Sequence, residues 1–136
     1  MNHGGEPLAA MELVRNDVFH RASRNHEDEE SLMNTYWRIF DDPFWTRERT
    51  QGRIRKPTMD FFLAHVLAAE IGELVSLSEL YSEYKKYTKN MNRGRVAEEL
   101  ASLTRYAPLY RELIAPEQSK ALSINKGINM TYSWMA

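Results

Sequence analysis

The strongest chemical signal in the sequence lies between Phe44 and Lys56, where basic side chains follow two aromatic ones. Clustered Arg and Lys side chains neutralise the phosphates of nucleic acids, and aromatic rings stack on their bases. Five positive charges within ten residues, next to Phe44 and Trp45, therefore predict a local nucleic-acid contact. The candidate nucleic-acid-binding residues are Trp45, Arg47, Arg49, Arg53, Arg55 and Lys56.

A second interpretation of the same segment is purely structural. Phe44 and Trp45 follow Pro43, and aromatic residues beside a proline usually pack inward. The two rings would then anchor a surface loop in the core, while the arginines would be solvated or paired with acidic side chains. The usual inward packing of such rings favours this second interpretation.

Signatures of catalysis and metal binding are missing from the sequence. The chain has no cysteine, which excludes disulfides, thiolate zinc sites, iron–sulfur clusters and cysteine nucleophiles. His20 and His26 have no metal-ligand spacing, and there is neither an H-E-x-x-H motif nor a glycine-rich phosphate loop. We interpret His65 as a partly buried core histidine and the acidic residues 27–30 as a solvated helix start. We therefore predict no catalytic residue, no metal site and no cofactor in this chain.

Length and composition favour one ordinary globular domain. The chain has 136 residues, of which 43% are hydrophobic and 27% charged, a balance typical of folded rather than disordered proteins. Eighteen Lys and Arg against nineteen Asp and Glu leave a net charge of −1, so any contact with nucleic acid must come from a local patch. No segment has the pattern of a membrane span or a signal peptide, which predicts a cytoplasmic protein without a membrane partner.

The apolar residues recur almost everywhere at spacings of three and four, which predicts an all-α fold. We expect a compact bundle of five to six helices over residues 1–117 and an irregular C-terminal tail over residues 118–136. Residues 44–56 are predicted as a loop or a short turn of helix. The first helix is predicted to begin at Pro7 and to end within Ser23 to Asn25, and the second to end at Asp41-Asp42-Pro43. The other predicted boundaries are Thr58 and Gly72 for the third helix, a Ser76–Glu79 capping box for the fourth, and Pro108 as a break or kink in the fifth.

Five motifs follow one another in a fixed order over residues 2–117. The first is N-x-x-G-x-P-L-x-x-x-E-L-[IV]-[RK]-N-x-[VIL]-F, formed here by residues 2–19. The others are Y-W-x-x-[FI]-[ED]-x-x-F-W around Tyr36–Trp45, G-R-[LI]-x-[RK]-P-x-[LIM]-D-x-F-L-x-[HY] at Gly52–His65, and the segments Leu80–Lys85 and Leu103–Tyr110. In this order they resemble the junction motif and helical middle region of GmrSD-type restriction proteins, a bacterial antiphage group.

The resemblance implies a multidomain parent protein. Such proteins join an N-terminal NTPase domain related to ParB and sulfiredoxin, a helical middle and often an HNH-type nuclease, and they cut foreign, often modified DNA. This chain lacks the family's Asp-Gly-Gln-Gln-Arg motif and its His-Asn-His constellation, and it begins inside the family's F-E-x-L-N motif. We therefore expect a fragment that corresponds to the helical middle alone. A nucleoside triphosphate and a divalent metal are implied only for the missing domains.

The first motif also suggests where a neighbouring domain would meet this chain. Gly5 and Pro7 would shape the turn that leads into the first helix. Arg15 and Asn16 on that helix would reach towards the partner or its nucleotide, or would be exposed where no partner is present. The candidate interface residues are therefore Asn2, Gly5, Pro7, Arg15 and Asn16.

Three functions remain open at this stage. The first is a non-catalytic scaffold that links an NTPase domain to a nuclease and contacts DNA through residues 47–56. The second is a stand-alone helical module that binds nucleic acid. The third is a small partner subunit that docks onto a separate NTPase through its first helix.

Overall fold

The computed structural model describes residues 8–90 and 95–115, in which six α-helices and one β-hairpin are found. The mainly helical class is therefore confirmed, but all-α is wrong because residues 48–57 form a two-stranded antiparallel sheet. Short 3-10 helices also form at Trp37–Asp41 and Leu77–Glu79. The elements are α1 (Ala10–Arg24), α2 (Glu29–Thr35), α3 (Pro43–Thr46), β1 (Glu48–Gln51), β2 (Ile54–Pro57), α4 (Thr58–Ile71), α5 (Leu80–Asn90) and α6 (Val96–Ile114).

The chain divides into two compact units, residues 1–101 and 102–136. In the described part of the second unit, α6 continues from Ser102 to Ile114, and the residues that recur on one face, Leu103, Ala107 and Tyr110, are buried. Pro108 lies inside this helix and does not end it. The predicted C-terminal tail lies outside the described residues, so the boundary at residue 117 stays a prediction.

A continuous series of aromatic rings forms the core of the first unit. The ring of Trp37 lies 6.0 Å from that of Phe19 and 5.4 Å from that of Phe40, between centroids. Phe40 continues the series to Trp45 at 5.2 Å and to Phe62 of α4 at 5.6 Å. Several of these pairs are edge-to-face, the arrangement that aromatic quadrupoles prefer. The second motif thus supplies rings that hold the segment between α2 and α4 against α4.

A carboxylate from a distant helix caps the start of α1. The residue before this helix is Ala9, which has no side-chain oxygen with which to accept a bond. Instead, the carboxylate of Asp60 on α4 accepts hydrogen bonds from the backbone N–H of Ala10 (3.2 Å) and of Met11 (2.9 Å). Burial raises the pKa of Asp60 above its ordinary value, although both hydrogen bonds act to lower it. Asp60, which belongs to the third motif, thus has a structural role, because this contact fixes α1 on α4.

Glu27 caps α6 in the same manner. Its two carboxylate oxygens accept hydrogen bonds from the backbone N–H of Val96 (3.0 Å) and of Ala97 (3.2 Å), and its side chain is buried. Burial alone would raise the pKa of Glu27, but these bonds, the Asn25 amide and the charge of Arg95 lower it below 4.5. The predicted solvated helix start is therefore wrong for Glu27. The same prediction is correct for the residues that follow Glu27. Asp28 is exposed and caps α2, because its carboxylate accepts a hydrogen bond from the backbone N–H of Ser31.

We expect Glu27→Gln to lower the free energy of unfolding by about 1–2 kcal/mol near neutral pH, because a charged cap is lost. The folded-state pKa lies below the unfolded value of 4.5, so the unfolded chain binds more protons between the two. The contribution of the carboxylate is thus complete above that value and is lost as pH falls through the folded pKa. Urea titrations of both proteins at about pH 7 and about pH 3.5 measure this loss. An equal difference at both pH values, or an equal effect of Glu73→Gln in an exposed loop, would contradict it.

A half-buried network of charges joins α1, α5 and the start of α6. The guanidinium of Arg21 donates to both carboxylate oxygens of Glu99, at 2.8 and 3.1 Å, and to Asp17 at 2.9 Å. The buried hydroxyl of Tyr84 donates to the same Glu99 carboxylate. Burial alone would lower the pKa of Arg21, but Glu99 and Asp17 outweigh it and raise that pKa. Burial and the charge of Glu99 raise the pKa of Tyr84 well above 10, so the hydroxyl remains a donor.

Candidate nucleic-acid interface

The basic segment is built as a hairpin on a two-residue turn. Strands β1 and β2 pair in antiparallel register, with Glu48 opposite Pro57 and Gln51 opposite Ile54. Gly52 has a φ of +65°, and a glycine at the first of two loop positions is typical of a type II′ turn. Gly52-Arg53 was therefore the one local signal in the sequence for a hairpin. The two strands are short and mostly exposed, so they lack the apolar alternation that would have predicted them.

The hairpin carries a positive charge that the chain as a whole does not have. Residues 47–57 hold five cations and one carboxylate, so their net charge is +4 against −1 for the whole chain. Arg55 forms an ion pair with the carboxylate of Glu48 at 2.8 Å, and both side chains are largely exposed. Three exposed cations of the hairpin segment form no hydrogen bond or ion pair within the described residues: Arg47, Arg53 and Lys56. The charge of Lys56 nevertheless acts on the buried carboxylate of Asp60, where it favours the ionised form.

Two of the cations lie opposite each other on one face of the hairpin. Arg49 pairs in register with Lys56, and like charges that face each other across two strands are destabilising. The Arg49 side chain leans towards the helical part of the protein, where its Nε donates to the Thr58 hydroxyl at 3.3 Å. Its guanidinium also lies 5.8 Å from the centroid of the Phe44 ring. Lys56 is thus left as the exposed cation of this face.

The base of the hairpin is attached firmly to the core. The backbone carbonyl of Arg47 accepts hydrogen bonds from the backbone N–H of Thr58 (2.9 Å) and from its hydroxyl (3.1 Å). The sequence predicted that Thr58 caps the helix that follows it. In the structure Thr58 instead closes the base of the hairpin, and α4 has no side-chain cap. The buried rings of Phe44 and Trp45 lie directly before β1. The cations therefore lie on a hairpin whose base is fixed to the core.

Trp45 is enclosed by other aromatic rings. Its side chain is 2% exposed, and its ring centroid lies 4.8 Å from that of Phe44, 5.2 Å from Phe40 and 4.9 Å from Phe62. A base cannot stack on a ring that is covered in this way. The structure thus separates Trp45 from the five cations with which it was grouped, and its place is in the core.

The interface residues suggested by the first motif are only partly described. Asn2, Gly5 and Pro7 lie outside the described residues. Arg15 and Asn16 both lie on α1 and line a groove of about 580 Å³ between α1 and α2. The sequence did not predict this groove, since it depends on how two helices pack. The complete lining is Arg15, Asn16, Phe19, His20, Ser23, Glu29, Glu30 and Met33.

The described residues contain no candidate metal site. Within residues 8–90 and 95–115, no three His, Asp or Glu side chains form a group that could hold a metal ion. His65 is half-buried on α4, where burial lowers its pKa although a bond with the Phe61 backbone raises it. None of the helices in these residues combines the length and apolarity needed to cross a membrane.

Comparison with known proteins identifies no relative. No family model matches the chain, and neither a curated protein nor a solved structure does.

Proposed function

We propose that this chain is a non-catalytic helical scaffold of the GmrSD type that contacts DNA phosphates through the β1–β2 hairpin. The observation that carries the proposal is the set of exposed hairpin cations that form no hydrogen bond or ion pair in the described part of the chain, Arg47, Arg53 and Lys56. Lys and Arg side chains gain affinity for nucleic acid by releasing the counterions condensed on its phosphates. A local charge of +4 on a chain of net charge −1 directs that contact to the hairpin.

The shape of the hairpin supports the same function. A two-stranded antiparallel ribbon fits the major groove of B-form DNA, where it places side chains against both phosphate backbones. Arg53 lies in the turn and Arg47 precedes β1, which leaves a strand of four residues, or roughly 13 Å, between them. Because Trp45 is covered, the contact we propose uses the phosphates and not base stacking.

The test is a salt titration of duplex DNA binding with the variant Arg53→Gln/Lys56→Gln. Each lost phosphate contact lowers the slope of log K against log salt by about 0.9, so we expect the slope to fall by about 2. At low salt the affinity should fall about tenfold or more. The matched control is Arg24→Gln/Arg38→Gln, which removes two exposed arginines outside the hairpin. Fluorescence anisotropy of a labelled duplex measures both quantities.

The DNA contact of the hairpin and the non-catalytic scaffold role can be contradicted by separate results. Absence of binding at low salt, or an equal loss in the control variant, would contradict the role of the hairpin. Nucleotide hydrolysis or DNA cleavage by the purified chain would contradict the non-catalytic scaffold. The scaffold itself is supported by the five motifs, which here build a core and fix α1 rather than assemble reacting groups.

A further inference from the structure

The α1–α2 groove contains a cation, Arg15, that uses only part of its hydrogen-bonding capacity within the described residues. The Nε of Arg15 is buried and has no hydrogen-bond partner among the described residues. Its Nη2 contacts only the sulfur of Met33, at 3.9 Å, which is a weak acceptor. No carboxylate in residues 8–90 and 95–115 pairs with Arg15, whereas Glu99 compensates the partly buried guanidinium of Arg21 in the same helix.

The second buried donor without a partner in the described part of the chain belongs to Trp37, whose ring contacts a residue that lines the groove. Among the described residues, the buried side-chain polar atoms without a partner are the Nε of Arg15 and the indole N–H of Trp37. Trp37 packs against Phe19, one of the residues that line the groove. Both atoms are donors, so the unmet requirement on this side of the protein is for hydrogen-bond acceptors.

The groove carries opposite charges at separate positions. Only four residues separate the end of α1 from the start of α2, and Arg15 of α1 contacts Met33 near the end of α2. The two helices therefore run in opposite directions. Glu29 and Glu30 therefore lie one helical turn before Met33, on the side of Ser23, and both are exposed without partners in the described chain. One turn of helix corresponds to about 6 Å along the groove. A cation and a pair of carboxylates are thus held about one turn apart.

We propose that this groove binds an extended peptide segment of a partner protein that carries an acidic and a basic side chain two residues apart. Two residues of extended chain also span about 6–7 Å, and their side chains lie on the same side. The acidic side chain would meet the unpaired guanidinium of Arg15, and the basic one would meet Glu29 and Glu30. This inference rests on the proposed scaffold role but not on the binding of nucleic acid by the hairpin.

The two carboxylates of the groove disfavour phosphate-containing ligands, which arginine side chains also bind. A triphosphate or a nucleic-acid strand would bring several negative charges into a groove that already holds two carboxylates. A volume of about 580 Å³ accommodates a few residues of peptide and is also within the range of small-molecule sites. A ligand with both signs of charge is the one that satisfies both ends of the groove.

The test is an NMR titration of the ¹⁵N-labelled full chain, observing the Nε–Hε signal of Arg15. The probe peptide is acetyl-Ala-Glu-Ala-Lys-Ala-amide, and the controls are its double-Glu and double-Lys counterparts and inorganic phosphate. We expect a saturable shift with the mixed peptide and weaker binding of all three controls. Arg15→Gln removes this signal, so its binding is followed by the backbone amide signal of Met33, which lines the same groove. This variant should bind about tenfold more weakly, since a charge-assisted hydrogen bond is lost, whereas Arg24→Gln on the same helix should leave binding unchanged.

A second variant keeps the test decisive if Arg15→Gln destabilises the fold. Glu30→Gln changes an exposed residue, and it should weaken binding of the mixed peptide while strengthening binding of the double-Glu peptide. Absence of a saturable shift at Arg15 would overturn the inference. So would phosphate or the double-Glu peptide binding as tightly as the mixed peptide, which indicates a simple anion site. None of these results depends on DNA binding, so failure of the hairpin proposal is measured separately.

Discussion

Replacing Trp45 with alanine is expected to lower the free energy of unfolding by about 3–5 kcal/mol, the range for removing a large aromatic side chain from a core. The indole is covered by Phe40, Phe44 and Phe62, at centroid distances of 4.8–5.2 Å. The truncation removes the buried apolar surface and leaves a cavity at the centre of this cluster. Urea unfolding monitored by circular dichroism measures the change, since two other tryptophans complicate fluorescence.

The controls distinguish a core residue from a binding residue. Ile54→Ala removes an exposed hydrophobic side chain from the neighbouring strand, and we expect it to cost less than about 1 kcal/mol. Trp45→Phe keeps most of the apolar volume, so the protein should stay folded and bind duplex DNA as tightly as the original chain. A stable Trp45→Ala protein with reduced DNA affinity would show that the ring contacts the ligand, contrary to its enclosed position.

The helices were predicted well because their signals are local. Apolar residues at spacings of three and four are visible in any short window, and so is the glycine that ends α4, Gly72, whose φ is +79°. The first helix ends at Arg24, within the predicted range of Ser23 to Asn25, but it begins at Ala10 rather than at Pro7. In contrast, α2 is shorter than predicted: it ends at Thr35, and Pro43 starts α3 instead of ending a helix. Pro43 fits the first position of a helix because its missing N–H is not needed there.

The hairpin and the capping carboxylates were missed because their determinants are not local. The hairpin strands are exposed, and what fixes the hairpin to the core is the contact between Arg47 and Thr58, eleven residues apart. Asp60 caps a helix 50 residues before it in sequence, and Glu27 caps one 69 residues after it. Nothing in the residues next to either carboxylate indicates such a partner.

In the candidate site, too, the features with a local sequence signal were predicted and those that depend on tertiary packing were not. Clustering of basic residues in sequence predicted cations that are mostly exposed, because a hairpin of charged residues has no apolar face to bury. Whether a ring beside them faces a ligand or the core depends on the packing of α4, which carries Phe62. Likewise, Arg15 and Asn16 were singled out by their motif, but their shared groove exists only once α2 packs beside α1.

The second large effect is expected at Glu99, which accepts hydrogen bonds from two helices at once. Glu99→Ala should lower the free energy of unfolding by about 2–4 kcal/mol, because it leaves the Arg21 guanidinium and the buried Tyr84 hydroxyl without their common acceptor. Breaking a fully buried pair costs about 3–5 kcal/mol, but the side chains of Arg21 and Glu99 are 22% and 15% exposed. Arg21 also retains its bond to Asp17, which limits the loss.

Urea titrations of a double-mutant cycle identify the cause of this loss. Tyr84→Phe alone removes one hydroxyl and should cost about 1 kcal/mol, and Glu99→Ala in that background should cost less than in the original chain because no hydroxyl is then left unpaired. Glu98→Gln, an exposed neighbour on the same turn of α6, should stay within about 0.5 kcal/mol of the original. If the Glu99 variant were as stable as this control, the network would not hold α1, α5 and the start of α6 together. If the effects of Glu99→Ala and Tyr84→Phe simply added, the stabilisation would come from the Arg21 pair alone.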